Sequence, residues 1–163
     1  MIIDDEVKAV LLVVILVGGV FTVSQAFGGG LVVEPFSELA VLGPNQKLVD
    51  YPRTVVTGQS FHLFVYVGNH EGRIMFYRVL VKLDLGGQTS NSSDTPPLDI
   101  TPLASCEQVI QHGGNYTTPI SLTLTEAGLN QRLVFELWAF NEDTNQFQYH
   151  SRYCQLWLNV TQP

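Results

Sequence analysis

The stretch VGNHEGRIMFYRVLVKL (residues 67–83) decides how this chain is read. Its second half alternates, with Tyr77, Val79, Val81 and Leu83 on one side and Arg78 and Lys82 on the other. That two-residue period is the mark of a β-strand with one buried face. Phe61, Leu63, Val65 and Val67 alternate in the same way just upstream. Between the two runs stands a polar group, Asn69, His70, Glu71 and Arg73. The gap suits a hairpin, Gly72 can take the positive φ such loops require, and Asn69 can bond its own backbone. The group therefore reads as a turn joining two paired strands. A contact epitope at the domain tip is the sharper alternative.

Working outward, the same period recurs. Ile120, Leu122 and Leu124 alternate with Ser121, Thr123 and Thr125. Leu133, Phe135 and Leu137 form another apolar side, and so do Cys154, Leu156, Leu158 and Val160. Residues 37–42 and 98–103 are weaker strand candidates. Turn chemistry separates the runs, as in GPNQK, QHGGNYT and NEDTNQ. About seven short strands imply a mainly β domain, an immunoglobulin-like antiparallel β-sandwich over residues 37–163.

The N-terminus obeys a different rule. After Lys8 no charged residue appears until Glu34, and residues 9–27, AVLLVVILVGGVFTVSQAF, are almost wholly apolar. As a helix this run spans roughly 28 Å, close to the hydrocarbon core of a bilayer. A cleavable signal peptide is one reading, with Ser24 and Ala26 as the small residues of a cleavage site. However, MIIDDEVK holds three acids and one lysine, not a basic n-region. A retained signal anchor over residues 1–27 is the better reading, with the glycine-rich residues 28–36 as a linker.

Other features bear on location. Three N-x-S/T sequons occur, at Asn91, Asn115 and Asn159, and are expected to carry glycans on an exported domain. If Cys154 points inward, Asn159 points outward, as a glycan needs. Cys106 and Cys154 are expected to pair in an oxidising compartment, the alternative being two buried free thiols. The chain is thus expected to be single-pass, held in the lipid bilayer by residues 9–27, with its C-terminal domain on the extracellular face. The net charge of −7 would repel phosphate backbones, which argues against nucleic acid as a partner.

Chemistry is harder to find. The histidines are His62, His70, His112 and His150. A blue-copper site needs a cysteine closely followed by a histidine and then a weak axial methionine, and neither cysteine has them. The run TGQSFH lacks the second glycine of a nucleophile elbow. No catalytic residue, cofactor or metal ligand is assigned. Trp138, Phe140, Tyr153 and Trp157 would lie opposite the core-facing residues of their strands. They form a candidate interaction surface unless they belong to the sandwich interior or are covered by a loop.

The run from Ser37 to Leu85 also resembles a known family. Leu42-Gly43-Pro44, Tyr51-Pro52, Gly58, Asn69-His70-Glu71-Gly72 and Tyr77 with Val79 and Val81 match the pattern of the archaeal domain-of-unknown-function family sixteen-sixteen. The resemblance implies an archaeal, membrane-anchored protein with an extracytoplasmic β-domain, and it implies no reaction. The expected role is a non-enzymatic structural or interaction subunit of a membrane or surface assembly. Its partners would be other envelope or membrane proteins, or further copies of itself. One alternative is a filament subunit that adds residues 31–36 as a strand to a neighbour. The other is a surface ligand-binding domain, for sugar or metal, or an enzyme.

Overall fold

A computed structural model describes residues 4–28, 34–85 and 95–163, with helix side chains as far as residue 23. The chain forms two separate compact units, residues 1–34 and 35–163. The first is one helix, α1 (Asp5–Gly28). Asp4 receives the first amide bonds through its carbonyl, and Asp5 and Glu6 set negative charge against the positive end of the helix dipole. The described side chains of α1 are exposed throughout. The helix has the length and composition of a single membrane span, a test that a signal sequence passes equally.

The second unit is a β-sandwich. Its strands are β1 (Phe36–Leu42), β2 (Thr54–Val56), β3 (Ser60–His70), β4 (Met75–Asp84), β5 (Ala104–Ile110), β6 (Asn115–Thr123), β7 (Gly128–Asn141) and β8 (Gln146–Thr161). One sheet runs β1-β3-β6 and the other β2-β8-β7-β4-β5. All pairings are antiparallel except β2 with β8. The inward residues of the two sheets meet in one core. It includes Leu63 and Val65 from β3, Val79 and Val81 from β4, and Leu133 and Phe135 from β7, all at 1% exposure or less. Each such side chain contributes about 1.5–3 kcal/mol on burial.

Several expectations need correction. The polar stretch after Val67 is not a hairpin. β3 pairs with β1 and β6, while β4 pairs with β5 and β7, so the turn carries the chain from one sheet to the other. Asn69 makes this possible. Its fully buried side chain donates to the carbonyls of Arg73 and Ile110 and accepts the amide of Glu71. Those bonds replace the ladder that a hairpin would have supplied. Gly72 has φ 77°, as the turn requires.

Residues 98–103 form no strand. The amide of Leu98 is taken by Glu136 and its carbonyl by Lys82, so side chains hold this segment where strand neighbours would have. The actual strand here is the following β5. Thr54–Val56 was likewise not expected to be a strand. Phe36, the last residue of the segment considered for strand addition, pairs with His70 inside its own sheet.

The expected disulfide is also absent, and both cysteines are free. Cys106 lies on β5 and Cys154 on β8, with β4 and β7 between them. Three strand spacings of about 4.8 Å separate them by about 14 Å, twice the reach of a disulfide. Burial pushes both thiols above their ordinary pKa. Cys154 instead donates to the carbonyl of Leu39 at 3.3 Å, tying β8 to β1.

Candidate functional site

The strand period of β7 sends Leu133, Phe135 and Leu137 into the core, and Arg132, Glu136, Trp138 and Phe140 to the outer face of the larger sheet. Register sets their neighbours. Trp138 stands between Arg78 of β4 and Tyr149 of β8. Glu136 faces Leu80 and Tyr153, and Arg132 faces Asp84 and Trp157. The four aromatic residues singled out from the sequence, Trp138, Phe140, Tyr153 and Trp157, therefore share this face.

They are not equivalent. Phe140 packs with Phe76 and Phe147 at ring separations of 5.9 and 5.4 Å, and the Arg78 guanidinium lies 3.8 Å over Phe147. Trp138 contacts Tyr149 at 5.9 Å and donates its Nε1–H to Glu136. Phe140 and Trp138 are half-buried, whereas Tyr153 and Trp157 are 43% and 41% exposed.

Two ion pairs lie on the same face, both unforeseen in the sequence. Lys82 Nζ sits 2.8 Å from Glu136 Oε2, with side chains 5% and 0% exposed. Arg132 bonds Asp84 at 2.8 Å, also buried. The first pair lies beneath residues 97–102, which cross the sheet and leave an open groove of about 350 Å³ lined by Leu80, Lys82, Leu98, Ile100 and Trp138 among others. Lys82 also bonds the carbonyl of Leu98 at 2.6 Å, and Glu136 accepts from Lys82, Leu98 and Trp138. The two buried charges beneath the groove are thus spent within the chain. The available signal was the apolar pair Leu98 and Ile100 among prolines, beside a strand whose Lys82 occupies a solvent-side position.

A second polar cluster sits at one end of the sandwich. Ser37 of β1, which is 3% exposed, donates to Glu71 Oε1 at 2.6 Å and lies 2.9 Å from His150 Nε2 of β8. Tyr77 Oη is 2.7 Å from the same hydroxyl. A β-bulge between Leu137 and Trp138 on β7 leaves His150 and Ser151 unpaired on β8, with Ser151 at φ 54°. Two extra residues leave the alternation intact, so His150 stays on the inward side of β8 with Cys154 and meets the cluster. Ser, His and Glu suggest a hydrolase triad, but the hydrogen positions oppose it. His150 Nε2 lies 2.9 Å from Glu71 Oε1, and a carboxylate only accepts, so Nε2 carries a hydrogen. A general base for Ser37 would need a bare nitrogen there. Burial acts to raise the Glu71 carboxyl. The hydrogen bonds from Ser37 and His150 and the charges of His150 and Arg73 outweigh it and hold the group below its ordinary value.

The remaining site candidates are dispersed. His62 is exposed on β3, His70 stacks on Phe36 at 4.6 Å, and His112 accepts the amide of Gly72. Among the described residues no three of His, Cys, Asp and Glu come together in a metal-sized group. Asn115 is exposed at the start of β6. Asn159 is half-buried, and its Oδ1 accepts the amide of Asn130. Asn91 lies outside the described residues.

Fold and surface together define an immunoglobulin-like sandwich domain that follows an apolar helix. The chain belongs to the family described as Domain of unknown function (DUF1616), whose profile matches residues 32–159. No curated relative matches the sequence. Among solved structures it is similar to the CARDB domain of the PF1109 protein from Pyrococcus furiosus, crystallised in complex with di-metal ions. Identity is 13%, covering 79% of this chain and 90% of that one, with a TM-score of 0.49. It is also similar to a β-glucosidase from Listeria innocua at 15% identity and a TM-score of 0.46, over 78% of this chain but only 16% of the glucosidase. The soluble domain of PmoD from a Methylocystis species shares 10% identity over 80% of this chain and 99% of that one, with a TM-score of 0.39.

Proposed function

We propose that this chain is a non-enzymatic, membrane-tethered interaction domain of an archaeal cell envelope. The helix holds it in the bilayer, and the sandwich stands on the extracellular side, glycosylated at its sequons. The outer face of the larger sheet meets another envelope protein. The observation that carries this reading is the exposure of Tyr153 and Trp157 on a face that residues 97–102 cover elsewhere. Large aromatic rings left in water beside a tiled aromatic cluster are characteristic of the centre of a protein contact. The apolar helix and the exposed Asn115 support the placement.

Purification of the full-length chain from its native membrane in mild detergent, followed by native mass measurement, tests this. A defined partner is expected, and the Tyr153→Ala/Trp157→Ala double variant should lose it while keeping its β-sheet circular dichroism. A strictly monomeric chain with nothing bound would overturn the reading.

A further inference from the structure

The cluster around Ser37 joins parts of the fold that backbone hydrogen bonding leaves separate. β1 belongs to the smaller sheet and β8 to the larger one, and the two share no ladder. At the start of β1 the Ser37 hydroxyl is a common point for Glu71 from the β3–β4 turn, Tyr77 from β4 and His150 from β8. Each of the four contributes one atom to a chain of contacts between 2.6 and 2.9 Å. Ser37 is also two residues beyond the boundary of the domain, so it anchors the strand by which the chain enters it.

The atom on which this depends is Glu71 Oε1, which accepts from both Ser37 and His150. As a carboxylate it takes both as charge-assisted bonds. As a neutral acid it loses its charge attraction to both donors, and its own proton needs an acceptor. From these contacts we infer that Glu71, Ser37 and His150 form an acid-released latch, which holds the start of β1 against the opposite sheet and lets it go when Glu71 is protonated.

The direction follows from the surroundings of Glu71. The titratable and charged groups that face it are His150 from β8, Tyr77 from β4 and Arg73 in its own turn. β1 supplies the uncharged Ser37, and His112 bonds the neighbouring Gly72. The carboxyl is held below its ordinary value in the folded chain. Its stabilisation is therefore complete above the unfolded-state value and is lost as pH falls through the lower folded-state value. The latch is closed near neutrality and opens in acid.

Hydrogen exchange of the full-length chain in detergent tests this, following β1 and β7 from about pH 7 to about pH 3 with correction for intrinsic rates. Protection of residues 36–42 should fall about tenfold or more relative to residues 133–137 as Glu71 titrates. Glu71→Gln should loosen β1 already near neutrality and abolish the step. Ser37→Ala keeps the carboxylate but removes the shared hydroxyl. It should lower β1 protection at every pH, and it serves if the Gln variant does not fold. Equal protection of β1 and β7 across the range would overturn the latch, as would an undiminished acid step in either variant.

Discussion

The two sides of one sheet face have opposite designs. On the β4 side, residues 97–102 lie over Lys82, Glu136 and Trp138, and the two buried charges there are paired with each other. On the β8 side, Tyr153 and Trp157 stand more than 40% exposed with nothing of the described chain across them. Both sides belong to one five-stranded sheet, so the difference is not one of secondary structure. It lies in what covers the outward residues. A covered sheet face must satisfy its polar groups internally, and an open one need not. The first side is built for stability, and the second is available for contact.

The sharpest way to break this comparison is at Glu136. Its carboxylate, 0% exposed, receives Lys82, the Leu98 amide and the Trp138 indole. Glu136→Ala leaves an unpaired ammonium under the covering segment and should cost about 3–5 kcal/mol in chemical denaturation. Replacing both partners, Lys82→Met with Glu136→Leu, should recover much of that loss, since no charge is then stranded. If Glu136→Ala unfolds at the wild-type midpoint, the β4 side is not the stabilised half.

That carboxylate also shows where the sequence stops being readable. Period two placed Tyr77, Val79 and Val81 inward correctly, and the same count put Lys82 and Glu136 outward. They are outward, yet buried, because residues 97–102 return across the sheet, and no local pattern in β4 or β7 records a distant segment. The turn after Val67 failed for a related reason. A four-residue connection fits a hairpin and a sheet-to-sheet crossing equally, and only the destination of the Asn69 side chain separates them. His150 lies on the inward side by the period of β8 itself, but no local pattern shows that Ser37 of β1 and Glu71 of the β3–β4 turn meet it there. The apolar helix and the outward set of Trp138, Phe140, Tyr153 and Trp157 were legible because each depends only on the period of its own segment.

On the open side the effects should be smaller. Tyr153→Ala removes a ring that solvent already reaches, and its stability change should stay within about 0.5 kcal/mol. Trp157→Ala should cost somewhat more, about 1 kcal/mol, because the Arg132 guanidinium lies 6.0 Å from its ring centre. Thermal or denaturant unfolding of each variant gives these values directly. A loss of several kcal/mol at Tyr153 would place it with the covered half and remove the reason for treating the β8 side as a contact surface.

The smallest effect expected is none at all, and it concerns the cysteines on β5 and β8 of the same sheet. Cys106 and Cys154 are free, and three strand spacings separate them. A cross-link would have closed a loop long enough to constrain the unfolded chain by about 4 kcal/mol. Reductant should therefore leave the melting temperature of the purified chain unchanged, and alkylation after unfolding should label both thiols without prior reduction. A drop of several degrees on reduction, or labelling that requires it, would mean that β5 and β8 approach each other by a route this sheet order does not permit. The outer face would then have to be redrawn, because Tyr153 and Trp157 take their positions from the same strand as Cys154.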